Sequence, residues 1–292
     1  MLSTLDWSVV ATYLIAPVTL SVYLSGRQET VEDYFVANNS GGPISIALSV
    51  MATQCSTNSI LGAPAFVAFV AGGGLVWLQY ELALPLAMIF IAVFLMPIFH
   101  RQRLVSVYLY LGRRFDAQTQ RLISGLFQLS RAAVAGITVY GVASMIAIVT
   151  GLSFAQSVLL FGLITIVYDV LGGIRAVIIS DVIQMVILTG VLIYLAVLLI
   201  GGAGGLEATL EQLSLDRRAA LSFQHHGLGD GHDFAFLPML VGGFFLYVAY
   251  YGCDQSQVQR QLCASSQDDT QKVLIINGLL RFPLVLLYCP IR

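Results

Sequence analysis

The sequence predicts an all-α, polytopic membrane protein, and three observations predict it. The 292 residues are 58% hydrophobic and only 10% charged, where a soluble domain carries about 25% charged residues. Mean hydropathy is +0.84. Apolar stretches of roughly 20 residues recur along the chain, the length an α-helix needs to cross a bilayer. A chain of this composition has too few polar groups to cover a globular surface, so lipid is its expected solvent and partner. The net charge of −2 argues neither for nor against nucleic acid. No Lys/Arg-rich patch of the kind that neutralises phosphates is present, so no nucleic-acid partner is expected. Oligomeric state is left open.

Taken in order, about eight candidate spans fall at roughly 7–25, 44–71, 75–98, 119–149, 154–171, 177–200, 235–252 and 271–289. The first follows MLSTLDW, which has no basic n-region and no A-x-A site. It reads as a retained span rather than a cleaved signal. The second holds TQCSTNS at 53–59 and then Pro64. A lipid-facing helix would not carry that polarity, whereas a broken helix lining a cavity can. Thr53, Gln54, Ser56, Thr57, Asn58 and Ser59 supply hydroxyl and amide oxygens, and an unwound helix frees carbonyls. Hard cations such as Na⁺ want such oxygens. Single Ser and Thr residues also bond harmlessly back to their own helix. The fourth span carries small residues at Ala132, Gly136, Ala143 and Ala147, a stripe that permits close packing and draws Arg131 inward.

With the N-terminus outside, Arg27, Arg101, Arg103, Arg113, Arg114, Arg121, Arg175, Arg260 and Lys272 fall in inside loops. Outside loops then hold Arg217 and Arg218, so the positive-inside bias favours this orientation. The long outside loop, 201–234, contains His225, His226, Asp230, His232 and Asp233 among glycines. No helical or strand spacing fixes a ligand set there, so a plain solvated loop is expected rather than a metal site. Cys55, Cys253, Cys263 and Cys289 form no CxxC pair and read as small buried apolar residues.

Ionisable residues inside spans cost about 2.5–3.5 kcal/mol each at a helix centre on insertion scales. Here they are Glu81, Arg131, Asp169, Asp181 and Arg281. One reading is a polar pathway through the bundle. The other is structural, with ion pairs between spans or snorkelling at span ends, which suits Asp169 and Asp181.

LGGIRAVIISDVIQ at 171–184 resembles the signature of the sodium:solute symporter family. Gly172, Gly173, Ala176, Val177, Ser180, Asp181 and Gln184 fill the pattern. EDYFVANNS at 32–40, SVMATQCSTNSILG at 49–62 and YYGCDQSQVQRQL at 250–262 agree with further family elements in the same order. The resemblance implies a LeuT-type inverted-repeat bundle in one transmembrane domain, 1–292. In it, 1–43 is an added helix and cytoplasmic loop, and 44–200 is the first five-helix repeat. The extracytoplasmic loop is 201–234, and 235–292 opens the second repeat. The two glycines and Arg175 would form a tight turn, with Asp181 starting the next helix as cap and sodium ligand. Ala52, Cys55, Ser56 and Asp181 match sodium positions. Gln54, Ser56, Ser59, Gln79, Glu81, Arg131, Tyr250 and Arg281 fall at or near solute positions. Arg131 resembles a carboxylate-binding arginine, and Tyr250 an aromatic inner gate.

The family pattern continues through further helices beyond residue 292, including one whose serines complete the sodium site. A truncated chain is therefore expected, and a fragment alone is not expected to transport. The function implied is sodium-coupled import of a small polar organic solute, a carboxylate such as sialic acid, with Na⁺ as coupling ion. Glu81 leaves open an arginine partner, a sugar or an amine. A transporter-like sensor domain is the alternative. A membrane enzyme is not expected, because no span holds a histidine or a recognisable catalytic motif.

Overall fold

A computed structural model describes residues 3–25, 30–56, 58–70, 73–211, 214–229, 231–232 and 234–288. Thr57, Asp230, Asp233, Arg27 and Cys289 lie outside them. The described residues are helical, with no strand. The elements are α1 (Thr4–Ser25), α2 (Val31–Val36), α3 (Pro43–Gln54), α4 (Ala63–Phe69) and α5 (Leu75–Arg101). They continue as α6 (Val107–Arg114), α7 (Ala117–Thr150), α8 (Phe154–Gly202), α9 (Leu206–Glu211) and α10 (Leu215–Arg218). The last three are α11 (Phe236–Cys253), α12 (Gln255–Leu262) and α13 (Gln267–Tyr288). Six of these helices are long and apolar enough to cross a membrane: α1, α5, α7, α8, α11 and α13.

The helix ends follow the sequence. Thr30, Ser106 and Asp116 accept backbone N–H bonds at the starts of α2, α6 and α7. Ser153 and Gln156 form a reciprocal capping box at the start of α8, and Gly151 closes α7 in the left-handed region. These groups satisfy the orphan N–H and C=O groups of helix termini.

The break expected within 44–71 is present, and two later spans join without the gap between them. The stretch 44–71 is not one helix: α3 stops at Gln54, and Cys55 leaves helical geometry at φ −78, ψ 77. A wide turn over Asn58–Gly62 then leads into α4, with Pro64 in its first turn. The spans at 154–171 and 177–200 meet with almost no loop. Gly173, at φ 57 and ψ −173, breaks α8 by itself, and helix resumes at once. Asp181 consequently sits two turns inside the second half rather than capping its start. Its carboxylate faces other helices instead.

α1 lies along α8, α8 packs on α3 and α7, and α13 packs on α3 and α5. Ile46, Leu84, Met88, Tyr251 and Leu274 are fully or almost fully buried in one core. Met51, Leu78, Met185 and Val285 form a second core. The stripe on α7 is realised only in part. Ala143 is buried, whereas Ala132 and Gly136 are exposed, and nothing lies within 4 Å of a Cβ placed at Gly136. Of the described cysteines, Cys263 is buried, Cys55 half-buried and Cys253, at the end of α11, exposed. His100 falls inside a span, in the last turn of α5, with Nε2 at 2.8 Å from Thr270 Oγ1.

Candidate ion and solute site

The break between α3 and α4 organises the site. The backbone leaves the helical ladder through short-range bonds: Cys55 N–H donates to Ala52 O (3.0 Å) and Ser56 N–H to Gln54 O (2.9 Å). Ser59 Oγ donates to Gln54 O at 3.0 Å and lies 3.5 Å from Ser56 Oγ. Gln54 Oε1 is buried without a partner. On one face of the break, Ala52, Cys55 and Ile60 line an open cavity of about 400 Å³ shared with Gln184, Met185 and Leu188 of α8, with α7 and with Tyr13 of α1. On the other face, Ser59, Gly62, Ala63 and Phe66 line a cavity of about 300 Å³. Its remaining wall is Trp77, Tyr80, Arg281 and Tyr288. That volume is at the low end for a small organic ligand.

The second cavity holds a buried ion pair. Arg281 Nε lies 3.3 Å from Glu81 Oε2, with the Glu81 side chain 0% exposed and that of Arg281 11%. Tyr247 stacks on Tyr80 at 5.7 Å and lies 5.8 Å beneath the guanidinium. Carboxylate and guanidinium are thus fixed side by side in an aromatic wall. The arrangement leaves a charged donor edge of Arg281 on the cavity wall without a net buried charge.

The other expected residues lie elsewhere. Arg131 pairs with Asp254 and stands over the rings of Phe127 (5.4 Å) and Tyr250 (5.9 Å), away from the 300 Å³ cavity. Tyr250 therefore accompanies Arg131 and not Arg281. Asp181 accepts from Ser49 Oγ at 2.6 Å and from Arg260 at 3.2 Å, one turn from Ala52 on α3 and one turn from Gln184 on α8. Gln79 is fully buried, and its amide bonds Ser222 N–H and Phe234 O instead of facing the cavity. Among the described residues, no group of three or more His, Cys, Asp or Glu side chains is placed to hold a metal. His225 and His232 stack ring on ring.

The family model for sodium:solute symporters matches residues 34–291. The chain belongs to the sodium:solute symporter family. The putative sodium-dependent multivitamin transporter of Drosophila melanogaster is 30% identical over 89% of this chain and 43% of its own length. The sodium/sialic acid symporter NanT of Aliivibrio fischeri is 31% identical over 94% of this chain and 54% of its own. The chain thus spans about half the length of these curated relatives. A solved structure described as a substrate-bound outward-open state of a Na⁺-coupled sialic acid symporter superposes with a TM-score of 0.87. It is 24% identical, and the match covers 99% of this chain and 59% of that one. The likeness shows the LeuT-type fold, and this symporter-family chain is a multi-pass membrane protein.

Sequence reasoning missed the partners in this family member's site. Asp254 and Arg260 stand in the quoted YYGCDQSQVQRQL stretch, yet their pairing with Arg131 and Asp181 is non-local. Tyr80, Tyr247, Trp77 and Tyr288 had one available signal: aromatic groups with polar tips inside apolar spans, which need partners when buried.

Proposed function

We propose that this chain forms the ion- and solute-binding part of a sodium-coupled secondary symporter that imports a small polar organic solute. The observation that supports it most is the broken helix with a cavity on each face. Ala52 and Cys55 border one cavity, where oxygens of an unwound segment suit Na⁺. Ser59 and Arg281 border the other, where hydroxyl and guanidinium suit a polar solute. One backbone break shared by both sites gives ion and solute a common element to bias, and coupling of this kind is reciprocal. The repeat that carries the break runs over 44–200, and 235–292 opens its inverted counterpart. Asp181 is a further sodium position, reached when Arg260 releases it.

The solute is a carboxylate such as sialic acid. Arg281 offers the guanidinium edge not used by Glu81, and guanidinium meets carboxylate with two parallel bonds. A sodium/sialic acid symporter among the relatives supports this class. The test is uptake by proteoliposomes containing the complete gene product, given labelled sialic acid, short carboxylates, sugars and amino acids, with and without an inward Na⁺ gradient. Sodium-dependent accumulation of a carboxylate, lost in Arg281→Ala and also in the Glu81→Ala, Arg281→Leu double variant that leaves no unpaired buried charge, is the expected result. Loss in Arg131→Ala as well, with folding intact, adds the second arginine to the solute site. Normal uptake in both variants removes the carboxylate, and no sodium-dependent uptake of any solute removes the symporter.

A further inference from the structure

Gln79 is spent on the loop between α8 and α11. Its side chain is wholly buried, its Nε2 donates to Phe234 O at 2.9 Å, and its Oε1 accepts from Ser222 N–H at 3.0 Å. One amide thereby pins two points of the loop twelve residues apart in sequence. Both ends of the amide are turned to the loop, and Gln79 does not line the 300 Å³ cavity. A second attachment lies one helix away. Arg217 of α10 donates from its two terminal nitrogens to Val67 O (2.8 Å) and Val70 O (2.9 Å), the last carbonyls of α4. A cation is favourable at a helix C-terminus, and Val70 O also accepts the Gly73 N–H at 3.0 Å. A third observation is steric. Gly74, at φ +145, sits under the loop backbone, where a Cβ would come within 3.0 Å of Arg217 Cα. A side chain at Gly74 would lift the loop off the protein.

Both attachments hold the cavity wall. α4 supplies Phe66, and α5 supplies Trp77 next to Gln79. Phe234, held by Gln79, meets Phe66 edge-on at 5.6 Å, and Phe66 meets Trp77 at 5.8 Å. The loop therefore ties the outer half of the broken helix to the following helix on the cavity side.

We propose that residues 214–222 and Phe234 form a strap over the solute cavity, and that Gln79 and Arg217 are positioning residues that control access to it. The proposal rests on the reading of that cavity as the solute site. Opening the cavity from this side requires α4 to move against α5, and the strap opposes that motion at two points. Gln79 acts on solute through the strap and not by touching it.

The test is the rate at which a membrane-impermeant maleimide modifies Ala63→Cys on the cavity wall, in proteoliposomes, with the native cysteines replaced by alanine. Gln79→Ala and Arg217→Ala are each expected to raise that rate several-fold. Arg217→Lys keeps the charge but cannot span both carbonyls, so an intermediate rate is expected and guards against a folding defect. Solute dissociation should quicken in the same order where transport is present. Unchanged labelling in both alanine variants overturns the strap. Weaker solute affinity in Gln79→Ala with unchanged labelling overturns it too, and makes Gln79 a direct contact. Labelling needs no transport, so failure of the symporter reading leaves a separate signature: faster labelling with no uptake.

Discussion

Glu81 has no exposed side-chain surface, and its one ionic partner is Arg281 at 3.3 Å. Removing one member of a buried pair leaves an uncompensated charge, at roughly 3–5 kcal/mol, whereas replacing both by apolar groups is near neutral. Glu81→Ala is therefore expected to lower thermal stability in detergent sharply, and Glu81→Ala with Arg281→Leu to recover most of the loss. Asp116 works outside the spans. Its Oδ1 accepts the Thr119 N–H at 2.6 Å at the start of α7, and this bond holds its carboxyl below the usual range. A depressed folded-state pKa gives stability that is present above the ordinary carboxylate range and lost as pH falls through the lowered value. The gap in melting temperature between the wild type and Asp116→Ala should be open at pH 7 and should narrow on acidification. Of these side chains, Glu81 and Arg281 were visible as charges in apolar spans. That they meet each other was not, because 200 residues separate them in the chain.

α8 turns on one residue. Gly173 combines φ 57 with ψ −173, a region essentially open to glycine alone. Gly172 next to it lies against α1, where a Cβ would come within 2.5 Å of Ser21 Oγ. Gly173→Ala is expected to cost about 1–3 kcal/mol of backbone strain. It should also displace Asp181 from Ser49 and Arg260, read as a lower melting temperature and reduced sodium-dependent uptake. The GG pair marked a tight turn in sequence, and Gly173 alone makes it. The reason is geometric: a single residue with reversed dihedrals redirects a helix without needing a loop. The break after Gln54 was legible because six polar residues within 53–59 interrupt an apolar run, which lipid does not tolerate in a continuous helix.

Across the whole molecule, one end gathers the α8 turn, α2 and α12. Gly41 N–H donates to Cys263 O at 2.9 Å, Gln259 Nε2 to Phe35 O at 2.8 Å, and Tyr34 to Val170 O at 3.1 Å. Arg260 joins α12 to both α3 and α8 at this end through Ser49 and Asp181. The strap of α10 lies at the other end, on α4 and the start of α5. We propose, from the bias of Lys and Arg, that the first end is the inside. A cysteine placed at Ser214 should react with an impermeant maleimide in intact cells, and one placed at Gln102 only after permeabilisation. The reverse pattern would invert the topology.

The sequence by itself determined that this is a helical membrane protein, that one helix is broken, and that its motifs are those of sodium:solute symporters. Those conclusions rest on local quantities: hydropathy over a bilayer's thickness, polarity within a span, and short contiguous patterns. Tertiary structure alone decided which charges neutralise each other and which residues face a cavity. Arg131 met Asp254, Arg260 met Asp181, and Gln79 turned to the loop, because partner choice depends on how distant helices cross. A charge buried away from water must find a counter-charge wherever the packing brings one, and that position is set in space and not along the chain.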